Sequence, residues 1–500
     1  MEKISAGMAL DAAACYAALC AHDARFDGRF FVGVSSTGVY CRPVCRVKVP
    51  MKKNCAFFVS AAAAEAAGFR PCLKCRPELA PGHSPADGMK RIARQAAAML
   101  DDECIADSGE GGVSDLAAAL GVTDRHLRRV FSEEFGVSPV HYVLTRKLLL
   151  AKSLLTDTKL SITGIAMSAG FGSIRRFNDA FRKRYKLTPG ELRKNIPQTH
   201  ATSDGITVHL DYRPPYAWDR LISFLAARVI SGVEYADDKV YRRTVRLAGT
   251  GKKSHAGWIS VSPDSKKNSL AVTVSSSLLP VLPKVLGRIR ALFDINCEPS
   301  GIYEKLLGMN DLAPDVCVPG IRVPGCFDPF EMSVRAVLGQ LITVKAARTL
   351  TTRLAATGIK IKTPFDELSV IFPSPRQICR LEHPTEKLGV LGINKTKARA
   401  IFSLAEALVN NSISLSAGAD PEVEMKKLLS LPGFGEWTVH YIGMRALHWP
   451  DAFPHTDYGI KKALAGMSEK TILNLSQKWR PWRAYAAMNL WNSLEHNKGD

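Results

Sequence analysis

The 500-residue sequence has no apolar run close to the ~18 residues that a membrane-spanning helix needs. It also lacks the basic region and clean apolar stretch of a secretory signal peptide, because Glu2 and Asp11 stand where these would lie. We therefore expect a cytoplasmic protein with no membrane partner. Thiols stay reduced in that compartment, so the 12 cysteines are expected to bind metal, react or pack, and not to form disulfides.

Acidic residues are scarce, since 47 Asp and Glu face 67 Lys and Arg, for a net charge of +20. Two stretches hold most of this surplus. Residues 41–76 have eight basic residues and one acid, and residues 161–195 have eight and two, so 13 of the 20 charges lie in 71 residues. A merely solvated basic surface is the alternative, but this concentration favours a polyanionic partner such as nucleic acid.

Two segments rich in Pro, Gly and small polar residues divide the chain. They are "PELAPGHSPADG" from Pro77 and "KNIPQTHATSDG" from Lys194. Short β-rich runs follow the second segment, and helical periodicity dominates after them. The predicted fold is multidomain: a small α/β cysteine module at 1–78, an all-α domain at 89–194, an α+β domain at 206–300 and an all-α domain at 301–500.

Four cysteines form two close pairs in the first basic stretch, with the spacing Cys41-x3-Cys45-x26-Cys72-x2-Cys75. Two such pairs suit one tetrahedral Zn²⁺, because each pair spans an edge of the tetrahedron. Spacing alone leaves open a purely structural zinc knuckle.

The run from "DARFDGRFFVGVSSTGVYCRPVC" to "AAGFRPCLKCRPE" resembles the zinc module of Ada-type DNA-methylation sensors over residues 23–78. This resemblance implies that Cys41, one of the four ligands, accepts a methyl group from a methylated DNA phosphate. The zinc would then be both structural and activating, because a metal-bound thiolate stays ionised at neutral pH. Methylation removes one negative charge from the centre, which would raise affinity for DNA phosphates and act as a switch.

A helical unit occurs twice. "LAAALGV" at Leu116 matches "IAMSAGF" at Ile165, and an apolar stripe follows each copy with an offset of 50. A generic amphipathic helix pair is the alternative for either copy alone, but two copies favour tandem helix-turn-helix units whose second helices enter the major groove. The residues expected to contact DNA lie on these second helices: Arg125, Arg128, Arg129, Ser173, Arg175, Arg176 and Asn178.

The tandem unit, with its closing "FRKRYKLTPGELR", resembles the DNA-binding domain of AraC/XylS-type regulators. The resemblance implies promoter binding and activation of transcription, with RNA polymerase as a partner. Residues 113–145 have a net charge of −1, so we expect the second copy to make more of the phosphate contacts.

"LPGFGEWTVHYI" at Leu431 has the pattern of a helix-hairpin-helix turn, in which the backbone around Gly433 and Gly435 can seat a DNA phosphate. An ordinary tight helical turn is the alternative. The hairpin carbonyls are also a candidate site for one monovalent cation.

Three further segments resemble 3-methyladenine DNA glycosylase II of the AlkA type: "DYRPPYAWDRLISFLAARVI", "PGCFDPFEMSVRAVLGQLIT" and "WRPWRAYAAMNLW". The match covers about 206–495. It implies that Asp457 is the catalytic carboxylate and that Leu341 is the wedge that fills the duplex when a base flips out. Thr456 departs from the family, which often has a second acid there.

Trp437 occupies the position where bifunctional members of the superfamily carry a lysine, so we expect base hydrolysis without strand cleavage. Cationic N-alkylated purines are the expected substrates, since aromatic rings attract cations. The resemblance implies a pocket lined by Trp437, Tyr441, Trp491 and Phe224, although core packing is the alternative for each ring. A Pro-Cys-His-Arg methyltransferase motif is absent from the sequence.

The sequence therefore predicts a methyl-phosphotriester sensor and transcriptional activator fused to a monofunctional DNA glycosylase. Its partners would be methylated and promoter double-stranded DNA. Two alternatives remain: a repair enzyme whose front half only tethers it to DNA, and a regulator whose glycosylase half is inactive.

Overall fold

The computed structural model describes residues 11–82, 91–102, 109–194, 204–249, 253–264 and 266–496. Residues 83–88 of the first predicted linker and 195–203 of the second lie outside these ranges. Within the described ranges, no helix combines the length and apolarity that crossing a membrane requires.

The cysteine module is a small sheet with two helices. Its elements are α1 (Ala12–Cys20), β1 (Phe31–Val34), β2 (Val39–Cys41), β3 (Cys55–Phe58), α2 (Ala61–Ala66) and β4 (Arg70–Pro71). The strand order is β3-β1-β2-β4, and β2 and β4 run parallel while the other pairs are antiparallel. Val32 and Tyr40 are fully buried, which fixes the sheet against its helices.

Seven helices follow within the described residues of this region. They are α3 (Arg91–Asp102), α4 (Gly109–Ala119), α5 (Asp124–Phe135), α6 (Pro139–Asp157), α7 (Ile162–Ser168), α8 (Ile174–Tyr185) and α9 (Pro189–Lys194). The repeat appears as the pairs α4–α5 and α7–α8. Gly121 and Gly170 lie in the turns with φ of +66° and +84°, a conformation that glycine adopts without strain. Phe131 and Phe181 are fully buried at equivalent positions, so the repeated stripe forms both cores.

The next domain is a five-stranded antiparallel sheet with two flanking helices. Its elements are β5 (Gly205–Asp211), α10 (Trp218–Ala226), β6 (Glu234–Ala236), β7 (Tyr241–Ala248), β8 (Ser254–Asp264), β9 (Ser269–Ser275) and α11 (Leu282–Leu292). The strand order is β5-β9-β8-β7-β6. Ile206, Val208 and Leu210 are buried on alternate positions of β5, as the strand period of two requires.

The described residues from 299 to 496 are helical apart from a short two-stranded ribbon and the connecting loops. Its elements are α12 (Pro299–Leu306), α13 (Pro329–Gly339), α14 (Val344–Ala355), β10 (Ile359–Lys360), β11 (Val370–Ile371), α15 (Pro375–Cys379), α16 (Pro384–Gly389), α17 (Lys395–Val409), α18 (Pro421–Leu429), α19 (Glu436–Arg445), α20 (Tyr458–Ala463), α21 (Glu469–Ser476) and α22 (Arg483–His496). The ribbon is a departure from the predicted all-α character. The predicted succession of an α/β module, a helical domain, an α+β domain and a helical domain is confirmed.

The domains share cores and ion pairs. One apolar cluster runs from Phe177 and Phe181 in α8 to Val272 and Val274 in β9. The cysteine module is tied to α6 by ion pairs, one of which joins Arg76 to Asp157 at 2.7 Å. The described structure therefore packs the cysteine module directly against its neighbours.

Candidate metal centre and candidate active site

Strand register places the four cysteines. β2 ends at Cys41 and pairs in parallel with β4, so that Tyr40 lies opposite Pro71. Cys41 and Cys72 therefore leave the sheet side by side, and their partners lie in the turns that follow. All four sulfurs lie within 4.8 Å of one another.

These residues fit a zinc ion. A tetrahedron with Zn–S bonds of about 2.3 Å has sulfur–sulfur edges of about 3.8 Å, which the observed spacing accommodates. The group consists of thiols alone, the soft donors that select zinc over hard cations. Cys41, Cys45 and Cys72 are buried and Cys75 is half-buried, so water has little access to the site.

Backbone amides stabilise thiolates in this group. The amide of Arg42 donates to the Cys75 sulfur at 3.4 Å. Backbone hydrogen bonds from Val47 and Cys75 favour the ionised forms of Cys45 and Cys72 respectively.

The basic residues around the cysteines divide into two groups. Arg42 and Arg76, which each follow a cysteine, are engaged in ion pairs with acidic side chains and are not exposed. The other cations of residues 41–76 are exposed: Arg46, Lys48, Lys52, Lys53, Arg70 and Lys74. The second group can meet DNA phosphates.

The helix-turn-helix residues lie where the sequence predicted, on α5 and α8. Arg128 and Arg129 of α5 pair with acids one turn away, Asp124 and Glu133. The Ser173 hydroxyl caps α8 by accepting from the Arg176 amide at 3.2 Å. The other four predicted contacts of the two helices are exposed: Arg125, Arg175, Arg176 and Asn178.

Asp457 caps the short helix α20 and is held on both carboxylate oxygens. Its Oδ1 accepts from the Ile460 amide at 3.1 Å and from the Trp491 indole N–H at 2.9 Å. Its Oδ2 accepts from the Trp437 indole N–H at 2.8 Å. Trp437 lies in α19 and Trp491 in α22, so three helices fix this carboxylate in one orientation.

The four predicted aromatic residues lie together beside this carboxylate. Trp437 stacks on Tyr441 with ring centroids 5.3 Å apart and planes 12° apart. Trp491 lies 6.1 Å from Tyr441 and stacks on Phe224 at 6.0 Å. Phe224 is only 2% exposed and forms the deepest of the four rings, whereas the other three are half-buried.

Arginines that sequence reasoning missed lie behind these rings. Arg445 donates to the Tyr441 hydroxyl at 2.8 Å, and Arg228 covers the Phe224 ring at 3.6 Å from its centroid. Burial raises the pKa of Tyr441, but the charges of Arg445, Arg228 and Arg335 and the hydrogen bond from Arg445 together outweigh burial and lower that pKa below its usual value. Arg445 follows Tyr441 by one helical turn, which is the one sequence signal that could have suggested it.

Leu341 lies in the loop after α13, fully exposed and with a positive φ of +57°. Two further residues that the sequence did not single out fasten this loop. The Lys397 ammonium donates to the carbonyls of Leu338 and Gln340 at 2.8 and 2.9 Å. The side-chain Nε2 of Gln340 donates to the Gly433 carbonyl at 2.8 Å. The exposed leucine and the hairpin turn are therefore held as one rigid unit.

Three family models match the chain. The metal binding domain of Ada matches residues 14–78, a helix-turn-helix domain matches residues 116–195, and the AlkA N-terminal domain matches residues 207–328. Together with the four-sulfur cluster, the match to the metal binding domain of Ada confirms the predicted zinc cofactor. The monovalent cation at the hairpin stays a prediction.

Curated relatives match over the same regions. "Probable bifunctional transcriptional activator/DNA repair enzyme AlkA" from Mycobacterium tuberculosis is 36% identical over 493 residues, 96% of each chain. "DNA-3-methyladenine glycosylase 2" from Escherichia coli is 34% identical over 282 residues, 56% of this chain and 95% of the relative. "Bifunctional transcriptional activator/DNA repair enzyme AdaA" from Bacillus subtilis is 30% identical over 180 residues, 35% of this chain and 80% of the relative.

The match to the Mycobacterium tuberculosis relative covers 96% of each chain, so it includes the cysteine module, the helix-turn-helix units and the carboxy-terminal half of this chain. The chain therefore belongs to the family of bifunctional transcriptional activator/DNA repair enzymes of the AlkA type.

Proposed function

We propose that this cytoplasmic protein senses DNA methylation damage, activates transcription and removes alkylated bases. Cys41 accepts a methyl group from a methylated DNA phosphate. The tandem helix-turn-helix domain then binds promoter DNA and engages RNA polymerase. The glycosylase half hydrolyses the bond between sugar and base. The proposal depends on one observation. The same chain contains a four-thiol cluster and, further along, a carboxylate that accepts hydrogen bonds from two tryptophan indoles.

In the methyl transfer, the Cys41 sulfur attacks the methyl carbon of a phosphotriester. A sulfur–carbon bond forms, the carbon–oxygen bond breaks, and the phosphate leaves as an ordinary diester anion. A zinc ion held by Cys41, Cys45, Cys72 and Cys75 would keep the sulfur ionised at neutral pH. The triester has lost its charge and does not repel the thiolate, and exposed cations such as Arg46 and Lys48 hold the neighbouring phosphates.

In base excision, the flipped nucleotide faces Asp457. Positive charge builds on the sugar as the base departs, and the fixed carboxylate stabilises it without having to reorganise. Water supplies the oxygen that ends on the sugar. Trp437 offers no amine, so no Schiff base forms and the strand stays intact.

The ring cluster selects the base. Trp437, Tyr441 and Trp491 present aromatic faces to a flipped purine, and a cationic alkylated purine gains roughly 0.5–2 kcal/mol from each such contact. Such a purine is also a good leaving group. N-alkylated purines such as 3-methyladenine are therefore the proposed substrates.

One incubation tests both activities. DNA carrying radiolabelled methyl groups is mixed with the protein, and label is followed into the protein and into free base. We expect label on Cys41 and release of methylated purines. Label in the protein without released base would mean that the glycosylase half is inactive, and released base without labelled protein would mean that the front half does not accept methyl groups.

Footprinting distinguishes a regulator from a tether. Protein with methylated Cys41 is expected to protect its own promoter at a lower concentration than unmethylated protein. Equal protection by both forms would leave a repair enzyme whose front half only holds it on DNA.

Replacing Trp491 by Phe should slow base release. The variant keeps a ring against Phe224 but removes one N–H from the Asp457 carboxylate. A hydrogen bond to a charged group contributes about 1.5–3 kcal/mol, so we expect kcat to fall about 10- to 100-fold. Single-turnover base release measures this, with Trp482→Phe as a control because Trp482 packs on Tyr485 in the core. An unchanged rate for the Trp491 variant would contradict the role of its N–H.

Replacing Lys397 by Met should loosen the Leu341 loop. The variant keeps an apolar stem but leaves two carbonyls at the end of α13 without their donor. An unsatisfied buried acceptor costs about 1–3 kcal/mol, so we expect about tenfold weaker binding to DNA with an abasic-site analogue. Lys395→Met removes an exposed charge from the same helix and serves as the control. Equal dissociation constants for the two variants would exclude this positioning role.

A further inference from the structure

Arg42, the residue after the proposed acceptor Cys41, holds a cysteine of the other pair. Its backbone N–H donates to the Cys75 sulfur at 3.4 Å, and its Nη1 donates to the Cys75 carbonyl at 3.2 Å. Main chain and side chain of one residue therefore fix the position of a second metal ligand. A shift of the Arg42 side chain would therefore move Cys75 within the four-sulfur group.

Two carboxylates from different domains hold the Arg42 guanidinium. Its Nε donates to Asp27 Oδ1 at 2.8 Å, and its Nη2 contacts the second oxygen of the same carboxylate. Its Nη1 donates to Asp211 Oδ2 at 2.7 Å. Asp27 belongs to the cysteine module, whereas Asp211 is the last residue of β5 in the sheet domain. Arg42 and Asp27 are 6% and 4% exposed, so solvent screens these charges little.

The same short segment of the sheet domain contacts the cysteine module a second time. Arg213, which is fully buried, donates to the carbonyls of Asp27 and Gly82 at 2.9 and 2.8 Å. The main chain of Asp27 is therefore fixed by Arg213, while its side chain is fixed by Arg42. Asp211 therefore contacts Arg42 across an interface between the two domains that Arg213 also fixes.

We propose that Asp211 is a positioning residue of the methyl-acceptor centre, so that the glycosylase half of the chain completes a site whose ligands all lie in the amino-terminal module. It acts through Arg42, which orients Cys75 within the four-sulfur group that includes Cys41. Partners of this kind, one layer behind the ligands, set ligand orientation, and their loss typically lowers metal affinity or activity about 10- to 100-fold.

The charges give the direction of the effect. Asp27 and Asp211 together outweigh the single positive charge of Arg42. When Asp211 is made neutral, more of the Arg42 charge acts on the sulfurs, which stabilises the thiolates and makes Cys41 a weaker nucleophile. The Arg42 side chain also loses one of its two anchors, so Cys75 is held less firmly.

The coupling must also run in the opposite direction, since linkage between two sites is reciprocal. Methylation of Cys41 changes the charge of the sulfur centre. It should therefore alter the interaction of Arg42 with Asp211 at the end of β5. This consequence rests on the proposed function. Hydrogen exchange of the amides in 204–211 is expected to change after methylation in the wild type and to change less in Asp211→Asn. Identical exchange changes in both proteins would contradict the coupling.

Cobalt tests the positioning role without any methyl transfer. The full chain is loaded with Co²⁺ as wild type, as Asp211→Asn and as Asp264→Asn. Asp264 is the matched control because it lies beside Asp211 across the sheet: both acids pair with Ser269, one from each neighbouring strand. Among the described residues, its ion pair is with the exposed Lys267 at 3.5 Å. We expect shifted cobalt–thiolate absorption bands and about tenfold faster loss of metal to a chelator for Asp211→Asn alone.

Methyl transfer and rescue complete the experiment. Transfer to Cys41 should be about tenfold slower in Asp211→Asn, and Asp211→Glu should restore both the spectrum and the rate. Base release reports whether each variant is folded. If Asp211→Asn does not fold, Arg42→Lys provides the same comparison, because a lysine cannot bridge the carboxylates of Asp27 and Asp211. Spectra and metal loss equal to those of Asp264→Asn would overturn the proposal. Absence of methyl transfer in the wild type would instead overturn the proposed function, while the cobalt result would still stand.

Discussion

Asp457→Asn is expected to reduce the release of alkylated bases by about 10³-fold, the size of effect seen when a preorganised electrostatic group is removed. The neutral amide cannot stabilise the positive charge that develops on the sugar. It also cannot accept both indole N–H bonds, because one of its two polar atoms is a donor. Single-turnover release of free base from methylated DNA measures the effect.

The structure makes this a clean test of chemistry. Asparagine caps helices as well as aspartate does, so α20 should still begin at Tyr458. The matched control is Asp420→Asn, because Asp420 also caps a helix of the same half, α18. We expect the Asp457 variant to bind DNA with an abasic-site analogue and the Asp420 variant to keep wild-type base release. Equal rates for the two variants would remove Asp457 from its proposed role.

Cys41→Ala is expected to abolish methyl transfer to the protein completely, while base excision persists. Alanine has no nucleophile, and the proposal assigns methyl acceptance to Cys41 alone among the four sulfurs. Mass spectrometry of the cysteine module after incubation with methylated DNA measures the gain of one methyl group.

Cys55→Ala is the control for this variant, because Cys55 is a half-buried thiol outside the four-sulfur group. It should be methylated at Cys41 like the wild type. A methyl group found on Cys45, Cys72 or Cys75 of the Cys41 variant would mean that another sulfur is the acceptor. Loss of base excision in the same variant would mean that the two halves do not act independently.

The sequence was most informative where the signal was local. The spacing of four cysteines predicted zinc, and the offset of 50 between apolar stripes predicted two helical units, because ligand pairs and helical faces are set by residues a few positions apart. The roles of Asp457, Leu341 and the aromatic residues came from resemblance to a family, and they stay predictions until the variants above are measured. Local pattern was misleading for Arg42, which lies in a basic run typical of DNA contacts but is buried between two carboxylates.

The sequence by itself determined the order of the domains, the spacing of the four clustered cysteines and the absence of a hairpin lysine. Only the tertiary structure decided which distant residues contact one another. Examples are the two indoles that donate to Asp457, the hydrogen bond between Gln340 and Gly433, and the contact of Arg42 with Asp211, 169 positions away. The physical reason is that a hydrogen bond or an ion pair between distant segments leaves no periodicity in either segment. Its partners are chosen by how sheets and helices pack, and that packing depends on the whole chain at once.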